Sequence, residues 1–231
     1  MACDQTPGTL FIVATPIGNV EDLGPRALRV LCEVPVLACE DTRHTGVLLK
    51  RLGIPRGDRR YVAYHDANES RQTPSLLGIL RSGRDVALVS NAGTPLVSDP
   101  GYRLVTAARV EGIDVVPIPG PCAAVTALSA SGLPSDRFTF FGFLPVKSGR
   151  RRKLLEGIDA ERGTCIFYVP ARSLARTLQE LSEVHPEGRV VVAREMTKIH
   201  EELFGGTPGE CIERIGERTI KGEVTLLLNV A

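Results

Sequence analysis

The chain has 231 residues, 43% of them hydrophobic, which is enough for one large domain or two compact ones. Its 28 Lys and Arg are balanced by 27 Asp and Glu, so any affinity for nucleic acid must come from a local basic surface. Six cysteines without a CxxC spacing, most of them in apolar runs, predict neither a disulfide nor a zinc site. The absence of a basic leader and of any run near the roughly 18 apolar residues of a membrane span predicts a soluble, unprocessed, cytoplasmic protein.

The first half of the sequence alternates short apolar runs with longer amphipathic segments. This alternation predicts a mostly parallel α/β sheet. Helices are predicted to begin after Asp22 and after Asp99, and the second is predicted to close on Gly112. The predicted strands are residues 9–15, 34–40, 85–91 and 114–119, so the turns from strand to helix fall at 15–22, 40–43 and 91–100.

The segment at residues 117–124 packs three prolines and a glycine together, and we place a domain boundary there. An N-terminal domain then covers 1–118 and a C-terminal domain covers 119–231. Several short neighbouring strands with few helices predict an α+β fold with a mixed or antiparallel sheet for the second domain. Its predicted strands are 139–143, 164–169, 189–196, 201–206 and 223–230, and its predicted helices lie near 171–183 and 207–217.

A cationic cluster lies at residues 147–153, with five basic residues and no acid. A charge run of this kind is most often the solvated face of a helix. The other interpretation is an edge that contacts RNA phosphates through Arg150, Arg151 and Arg152, whose binding would fall steeply with salt.

Several common catalytic motifs are missing from the chain. No GxGxxG follows the first strand and no GxxxxGK[ST] occurs, which argues against a dinucleotide oxidoreductase and a P-loop NTPase. No GxSxG is present, and His200-Glu201 lacks the second histidine of HExxH. Hydrolase chemistry therefore has little support in the sequence, and no cluster with metal-ligand spacing predicts a metal site.

Three Gly/Pro-rich turns stand where a phosphate loop would be, at residues 15–19, 90–101 and 119–124. Each follows a predicted strand, and ligands of open α/β sheets bind at the carboxyl ends of the strands. Glycine and alanine let backbone groups approach a ligand closely, while proline fixes the turn. These turns suit a compact, mostly neutral ligand better than a pyrophosphate.

Five longer stretches of the sequence are not compositionally generic. They read LFIVATPIGNVEDLGPRAL, LACEDTRHTGVLL, LVSNAGTPLVSDPGYRLV, PIPGPCAAVTALSASGLPSDRFTFFGFLP and AREMTK. In this order they resemble the ribosomal RNA small-subunit methyltransferase I family of the tetrapyrrole methylase superfamily. The resemblance implies a two-domain α/β fold with S-adenosylmethionine in the cleft between the domains, usually in a homodimer. It implies as substrate the ribose 2′-hydroxyl of a cytidine in the decoding region of 16S rRNA, free or in the assembled small subunit.

The resemblance also implies which residues hold the cofactor. Small and apolar residues at most of these positions would leave room for the adenosine and methionine parts. Because the sulfonium is already activated, the main task of the protein is to align the ribose oxygen with the methyl group. The cofactor positions carried over are Pro16, Ala92, Gly93, Thr94, Val97, Cys122, Ala123, Val169 and Met196.

Methylation of a hydroxyl also needs a route for its proton. A carboxylate or a lysine of lowered pKa can act as base, whereas arginine, which stays protonated, suits phosphate. We favour Glu40 or Asp41 with Lys198 for the chemistry. The alternatives are that the two carboxylates cap a helix and that the lysine is an ordinary surface residue. Other ionisable candidates are His65, Asp66, Glu69, Arg194 and Glu195, and the residues assigned to the RNA substrate are Arg43, His44, His65, Arg150, Arg151 and Arg152.

The chain departs from the family pattern at two positions. Asn91 stands where the family usually has aspartate, and Val169 stands where it usually has glutamate. Asparagine keeps an acceptor and adds donors but cannot act as a base. Neither position can therefore be an essential acid or base in this chain.

Two other functions compete with rRNA methylation. The acceptor can be a tetrapyrrole or a diphthine precursor, as in other members of the superfamily, although the segment EDTRHT and the cationic cluster favour RNA. The second alternative is a non-catalytic RNA-binding homologue. The Gly/Pro turns argue against it because a pure binding module needs no such pocket, and measuring S-adenosylmethionine binding separates the two.

Overall fold

A computed structural model describes residues 6–230 of the chain. The chain divides into two compact units, of which one ends at Cys122 and the other begins at Ala123. We propose that these units are the two domains whose boundary the sequence places after residue 118. Among the described residues, no helix is long and apolar enough to cross a membrane. Five cysteines of this range are free thiols, and Cys3 lies outside the described residues.

The first unit contains a five-stranded parallel sheet in the order β3-β2-β4-β1-β5. Four of its strands lie inside the predicted apolar runs, which confirms the parallel α/β prediction. The strand β3 was not predicted because it is an edge strand in which only Val62 is fully buried. The strands are β1 (Leu10–Val13), β2 (Val36–Cys39), β3 (Arg60–Ala63), β4 (Val86–Val89) and β5 (Val115–Ile118).

Both faces of this sheet are covered. Leu10, Val36 and Leu88 belong to one buried apolar cluster, and Leu37 and Val89 belong to another. Successive residues of a strand point to opposite faces, so an unbroken apolar run is needed where both faces are buried. The strands β2 and β4 are accordingly buried at every position.

Four helices connect the strands: α1 (Pro25–Glu33), α2 (Thr42–Arg51), α3 (Glu69–Arg81) and α4 (Tyr102–Val110). The predicted helix starts at Asp22 and Asp99 are wrong. Asp22 ends a short 3-10 turn, and α1 starts later because Pro25 supplies its first-turn φ angle, with Gly24 as N-cap. The N-cap of α4 is Gly101. The predicted stop at Gly112 is confirmed, since its φ is 69° and its N–H donates to the carbonyl of Arg109.

The second unit contains a five-stranded mixed sheet in the order β6-β7-β10-β8-β9, in which only β6 and β7 pair in parallel. The predicted mixed sheet is therefore confirmed. Two helices, α5 (Ala123–Ser131) and α6 (Ser148–Glu156), were not predicted as elements. The remaining elements are β6 (Phe138–Phe143), β7 (Thr164–Pro170), α7 (Leu174–Val184), β8 (Arg189–Arg194), β9 (Glu202–Gly206), α8 (Pro208–Ile215) and β10 (Glu223–Asn229).

Candidate active site

The three Gly/Pro turns meet at the carboxyl edge of the parallel sheet. Thr15 and Gly93 exchange backbone hydrogen bonds of 2.9 and 3.0 Å, which join the turn after β1 to the loop after β4. The Thr94 hydroxyl donates to the carbonyl of Pro121 at 2.9 Å and joins the same loop to the turn after β5. Gly93 has a φ of 88°, and a Cβ there would lie 3.4 Å from the Ile17 side chain. Three turns that are separate in the sequence are thus joined by hydrogen bonds into one continuous backbone surface within the first unit.

Glu40 ties a further loop to this surface. It follows β2 directly, and its Oε2 accepts a hydrogen bond from the backbone N–H of Asn91 at 2.9 Å. The Asn91 side chain lies beside it with Oδ1 buried, and within residues 6–230 this oxygen has no hydrogen-bond partner. A buried acceptor without a donor is costly, so this atom marks a place where a ligand or water is needed.

Asp41 has a structural role. It is the N-cap of α2, and its carboxylate accepts from the backbone N–H groups of Arg43 at 2.8 Å and His44 at 3.4 Å. The hydrogen bond from the Arg43 side chain, with those from the backbone, lowers the pKa of Asp41. The capping interpretation is confirmed for this residue, and its low basicity suits a cap better than a proton acceptor.

Asp99 is the acidic residue that the sequence interpretation missed as a site residue. It lies in the loop after β4 and does not cap α4, and it is subject to the negative charges of Glu40 and Asp66. Burial, followed by the negative charge of Glu40, raises the pKa of Asp99 to about 6, and Asp66 adds to the shift while the Ser90 hydroxyl opposes it. A signal was available in the sequence, because Asp99 belongs to a loop that follows a buried parallel strand.

The stability of the protein is expected to depend on this carboxyl group. The folded pKa of Asp99, about 6, lies above the unfolded value of 3.8, so the folded state holds its proton longer. Stability is therefore lost as pH rises between these two values. We predict that the free energy of unfolding of Asp99→Asn is about 1 to 2 kcal/mol larger than that of the wild type at pH 7.5, after discounting for partial exposure. This difference is expected to vanish near pH 4. Chemical unfolding at the two pH values measures this, and a gap independent of pH would contradict it.

The strained backbone of the same loop is a further sign of a functional site. Leu96 and Ser98 have φ angles of 72° and 65°, a region that side chains other than glycine rarely occupy. Strain of this kind persists where the surroundings fix the backbone, and it is common at ligand sites. Of the remaining cofactor positions carried over in the first unit, Pro16 is buried, Val97 and Cys122 are half-buried, and Ala92 is exposed.

In the second unit, Lys198 is held by two carboxylates. Its Nζ lies 2.8 Å from Glu195 Oε1 and 2.8 Å from Glu223 Oε2. Burial works to lower the pKa of Lys198, but these two hydrogen bonds outweigh it and raise the pKa above its usual value. A lysine base needs the opposite shift, so we leave Lys198 out of the proposed chemistry.

Replacement of Lys198 by arginine tests this interpretation. Arginine keeps the positive charge and can pair with both carboxylates, but it cannot give up a proton. We predict that Lys198→Arg keeps the rate of methyl transfer within about threefold of the wild type, because a fixed ion pair and not a base is preserved. Steady-state kinetics measures the rate. A loss of about a hundredfold, with unchanged thermal stability, would restore the lysine as base.

The two other cofactor positions of the second unit differ in accessibility. Val169 is 2% exposed, and its side chain belongs to the apolar core of this unit. It is therefore unsuited to contact a ligand through its side chain. Met196 is half-buried and lies between Glu195 and Thr197, whose φ angles are 48° and 65°. Ala123, at the start of α5, is also half-buried.

Two of the five basic residues of the cationic cluster form ion pairs within the second unit. Arg151 is 4% exposed and makes a bidentate ion pair with Glu180, with two contacts of 2.6 Å. Its NH1 atom also donates to the carbonyls of Pro145 and Val146. Arg151 is therefore unsuited to bind RNA, because its guanidinium already makes four hydrogen bonds within the second unit. Arg152 pairs with Glu156 and Glu183, and Arg150 is exposed.

The other residues assigned to the substrate lie on the first unit. Arg43 is exposed over 90% of its side chain and forms an ion pair of 3.2 Å with Asp41, two residues earlier. His44 is exposed beside it on α2. His65 follows β3, and its Nε2 lies 3.1 Å from the Asn68 amide nitrogen. All three residues are thus near strand ends at the carboxyl edge of the sheet.

The two sheets and the matched sequence define the class of this protein. Residues 9–211 match the family of Tetrapyrrole (Corrin/Porphyrin) Methylases. The solved methyltransferase CobJ has the same fold, with a TM-score of 0.71 and 19% identity over 97% of this chain and 95% of that one. Uroporphyrin-III C-methyl transferase from Thermus thermophilus, solved in complex with S-adenyl homocysteine, gives a TM-score of 0.59 and 20% identity over 96% and 97%. The fold is therefore that of a two-domain tetrapyrrole methylase.

Curated relatives narrow the assignment. Ribosomal RNA small subunit methyltransferase I of Escherichia coli O157:H7 is 50% identical over 98% of this chain and 79% of its own length. The protein of the same name from Vibrio cholerae is 51% identical over 95% of this chain and 76% of its own length. The chain belongs to the family of ribosomal RNA small subunit methyltransferase I, and it is a methyltransferase.

Proposed function

We propose that this chain transfers a methyl group from S-adenosylmethionine to the 2′-hydroxyl of a cytidine ribose in the decoding region of small-subunit rRNA. The observation that carries the proposal is the identity of about half the residues, over nearly the whole chain, to relatives named for rRNA methylation. The tetrapyrrole alternative rests on solved structures of much lower identity. An rRNA substrate is therefore the better supported of the two.

The residues of the sheet edge suit this cofactor. S-adenosylmethionine supplies, when bound, a methyl group already activated on a positively charged sulfur. The carboxylates Glu40, Asp66 and Asp99 give the edge a negative potential that favours such a cation. The Oδ1 atom of Asn91, which has no hydrogen-bond partner within residues 6–230, offers an acceptor to the cofactor. We propose that the first unit holds the cofactor through Pro16, Ala92, Gly93, Thr94, Val97 and Cys122. Ala123 and Met196 stay predicted cofactor positions.

We propose Asp99 as the proton acceptor in place of Asp41 and Lys198. A general base works best when its pKa lies near the operating pH, and the pKa of about 6 places Asp99 closer to this condition than an ordinary carboxylate. With the cofactor bound, Asp99 would take the proton that the ribose hydroxyl gives up as its oxygen bonds to the methyl carbon and the bond from that carbon to sulfur breaks. Glu40 acts by position, since it fixes the backbone of Asn91 and sets the charge that Asp99 experiences.

We propose that Arg43 contacts a phosphate of the RNA substrate. Its guanidinium is exposed at the start of α2, two residues beyond Asp41, and arginine suits phosphate because it remains charged and presents a rigid set of donors. Arg150, His44 and His65 stay candidates for the same role. A homodimer, as the family resemblance implies, stays a prediction.

The first experiment is transfer of labelled methyl groups to small ribosomal subunits from a strain that lacks the homologous enzyme. Nuclease mapping of the product locates the label, and resistance to alkali identifies a 2′-O-methyl ribose. Subunits that already carry the modification are the matched control. Cofactor binding without transfer to any rRNA would overturn the rRNA proposal and favour a tetrapyrrole acceptor. Failure to bind the cofactor at all would favour the non-catalytic homologue.

A further inference from the structure

The segment from Thr42 to Tyr61 carries a local excess of positive charge that the active site does not explain. It contains six Lys and Arg and a single acid, Asp58, an excess of five positive charges in a chain whose overall excess is one. The charges are dispersed among apolar residues and glycines, so no compact basic motif appears in the sequence. A local excess of this size in a nearly neutral protein indicates a surface for an anionic partner.

This segment folds into a groove of about 800 Å³. One wall is a face of α2, where Arg43, Val47 and Lys50 follow one another at intervals of three or four residues. The other wall is the loop after α2 with Arg56, and Tyr61 of β3 also lines the groove. None of the eleven lining residues, all of them in the described part of the chain, is acidic.

The groove is built on fixed backbone. Gly53 ends α2 with a φ of 70°, and its N–H donates to the carbonyl of Lys50 at 3.1 Å. The N–H of Ile54 donates to the carbonyl of Leu49 at 2.9 Å, which completes a Schellman motif. Ile54 and Leu49 are both buried in the core of the unit. The loop that carries Arg56 is therefore anchored at its start.

The cations of the groove are available to a ligand. Within residues 6–230, neither Lys50 nor Arg56 has a carboxylate partner. The Arg56 guanidinium carbon lies over the Tyr61 ring, 4.9 Å from its centre, within the range of a cation–π contact. Val47, between the cations, is 54% exposed. Positive charges beside a half-buried aromatic ring and an exposed valine match a single nucleic acid strand, whose phosphates need cations and whose bases stack on planar groups.

We propose that this groove binds a single-stranded stretch of the rRNA next to the methylated nucleotide. The inference rests on the proposed function and extends it, because it names the surface that holds the substrate strand. The helix α2 begins directly after Glu40 and Asp41, so the Arg43 end of the groove opens at the active-site edge of the sheet. The ten residues of α2 extend the groove about 15 Å away from that edge. A second copy of this chain fits less well, because a symmetric contact would face these cations with one another.

The test compares two charge-matched double variants. Lys50→Gln/Arg56→Gln removes two cations of the groove, and Arg26→Gln/Arg109→Gln removes two exposed cations elsewhere on the first unit. Binding of a labelled RNA fragment of the decoding region, and of small ribosomal subunits, is measured over a range of salt concentrations. We expect the groove variant to bind RNA roughly tenfold more weakly and with a salt slope smaller by about 1.4, since a single strand loses about 0.7 per phosphate contact. The control variant is expected to bind like the wild type.

Further readouts separate this inference from the function on which it rests. Cofactor affinity and unfolding temperature are expected to be the same in both variants, and Val47→Glu, which adds an anion at an exposed position, is expected to weaken RNA binding alone. Wild-type methylation of rRNA with equal RNA affinity of the groove and control variants would overturn the groove and leave the function intact. A change of oligomeric state in the groove variant with unchanged RNA affinity would assign the groove to a second copy. Absence of wild-type binding to fragment and subunit would overturn both proposals.

Discussion

Replacing Asp99 by asparagine is expected to lower the rate of methyl transfer by about a hundredfold to ten-thousandfold, the range that a general base contributes. Asparagine keeps the size of the side chain and an acceptor oxygen but cannot take up the ribose proton. In the wild type, the rate is expected to rise with pH through an apparent pKa of about 6, because the carboxyl group must be ionised to accept the proton. The variant is expected to lose this rise. Single-turnover methyl transfer to small subunits across pH 5 to 8, values chosen around that pKa, measures both effects.

Two further variants make the result specific to Asp99. Asp66→Asn removes one of the negative charges that raise the pKa of Asp99, so the rise of the rate is expected to move to lower pH. Asp114→Asn removes an exposed carboxylate away from the edge and is expected to leave the profile unchanged. If Asp99→Asn weakens binding of S-adenosylmethionine but keeps the rate at saturating cofactor, the carboxylate serves to attract the cofactor and is not the base.

Removal of the Arg151 side chain is expected to destabilise the second unit by about 3 to 5 kcal/mol, although the residue belongs to a charge run. Arg151→Ala removes both 2.6 Å contacts to Glu180, whose side chain is only 13% exposed, and leaves it the longer contact of 3.4 Å to the more exposed Arg176. It also leaves the carbonyls of Pro145 and Val146 without their donor. A fall in the unfolding temperature of about 12 to 40 °C corresponds to this loss in a unit of about a hundred residues. Differential scanning calorimetry measures it.

The adjacent residue provides the matched control. Arg150→Ala removes the same side chain from an exposed position and is expected to change stability by less than about 0.5 kcal/mol. Arg151→Met with Glu180→Leu removes both charges together and is expected to recover most of the stability, because no buried charge is left unpaired. Equal unfolding temperatures for Arg150→Ala and Arg151→Ala would show that the ion pair contributes little and would return Arg151 to the candidates for RNA binding.

Much of the fold was predictable because its strands are buried. The unbroken apolar runs of β1, β2 and β4 are required by a sheet covered on both faces, and their alternation with helices implies parallel strands. The edge strand β3 lacks such a run and was missed. The helix starts were misplaced because Asp22 and Asp99 look like caps in sequence, whereas backbone geometry gives that position to glycine. The preference of aspartate for the N-cap position therefore did not decide where these helices start.

The site was predictable only in part. The meeting of the three Gly/Pro turns follows from parallel topology, since the carboxyl ends of the strands share one edge. The raised pKa of Asp99 depends on burial and on the charge of Glu40, which reaches it through the fold and not through the sequence. The partner of Arg151 is likewise 29 positions away along the chain. Charge in a sequence shows where ions are but not which of them are already paired.

The acidic character of the sheet edge has a consequence for turnover. Under the proposed function, the carboxylates of Glu40, Asp66 and Asp99 attract a methyl donor that carries a positive sulfur, and after transfer the same sulfur is neutral. The attraction that favoured binding therefore weakens once the methyl group has left. The edge of the sheet thus discriminates between fresh and spent cofactor by charge alone, which favours release of the product and limits its inhibition of the next cycle.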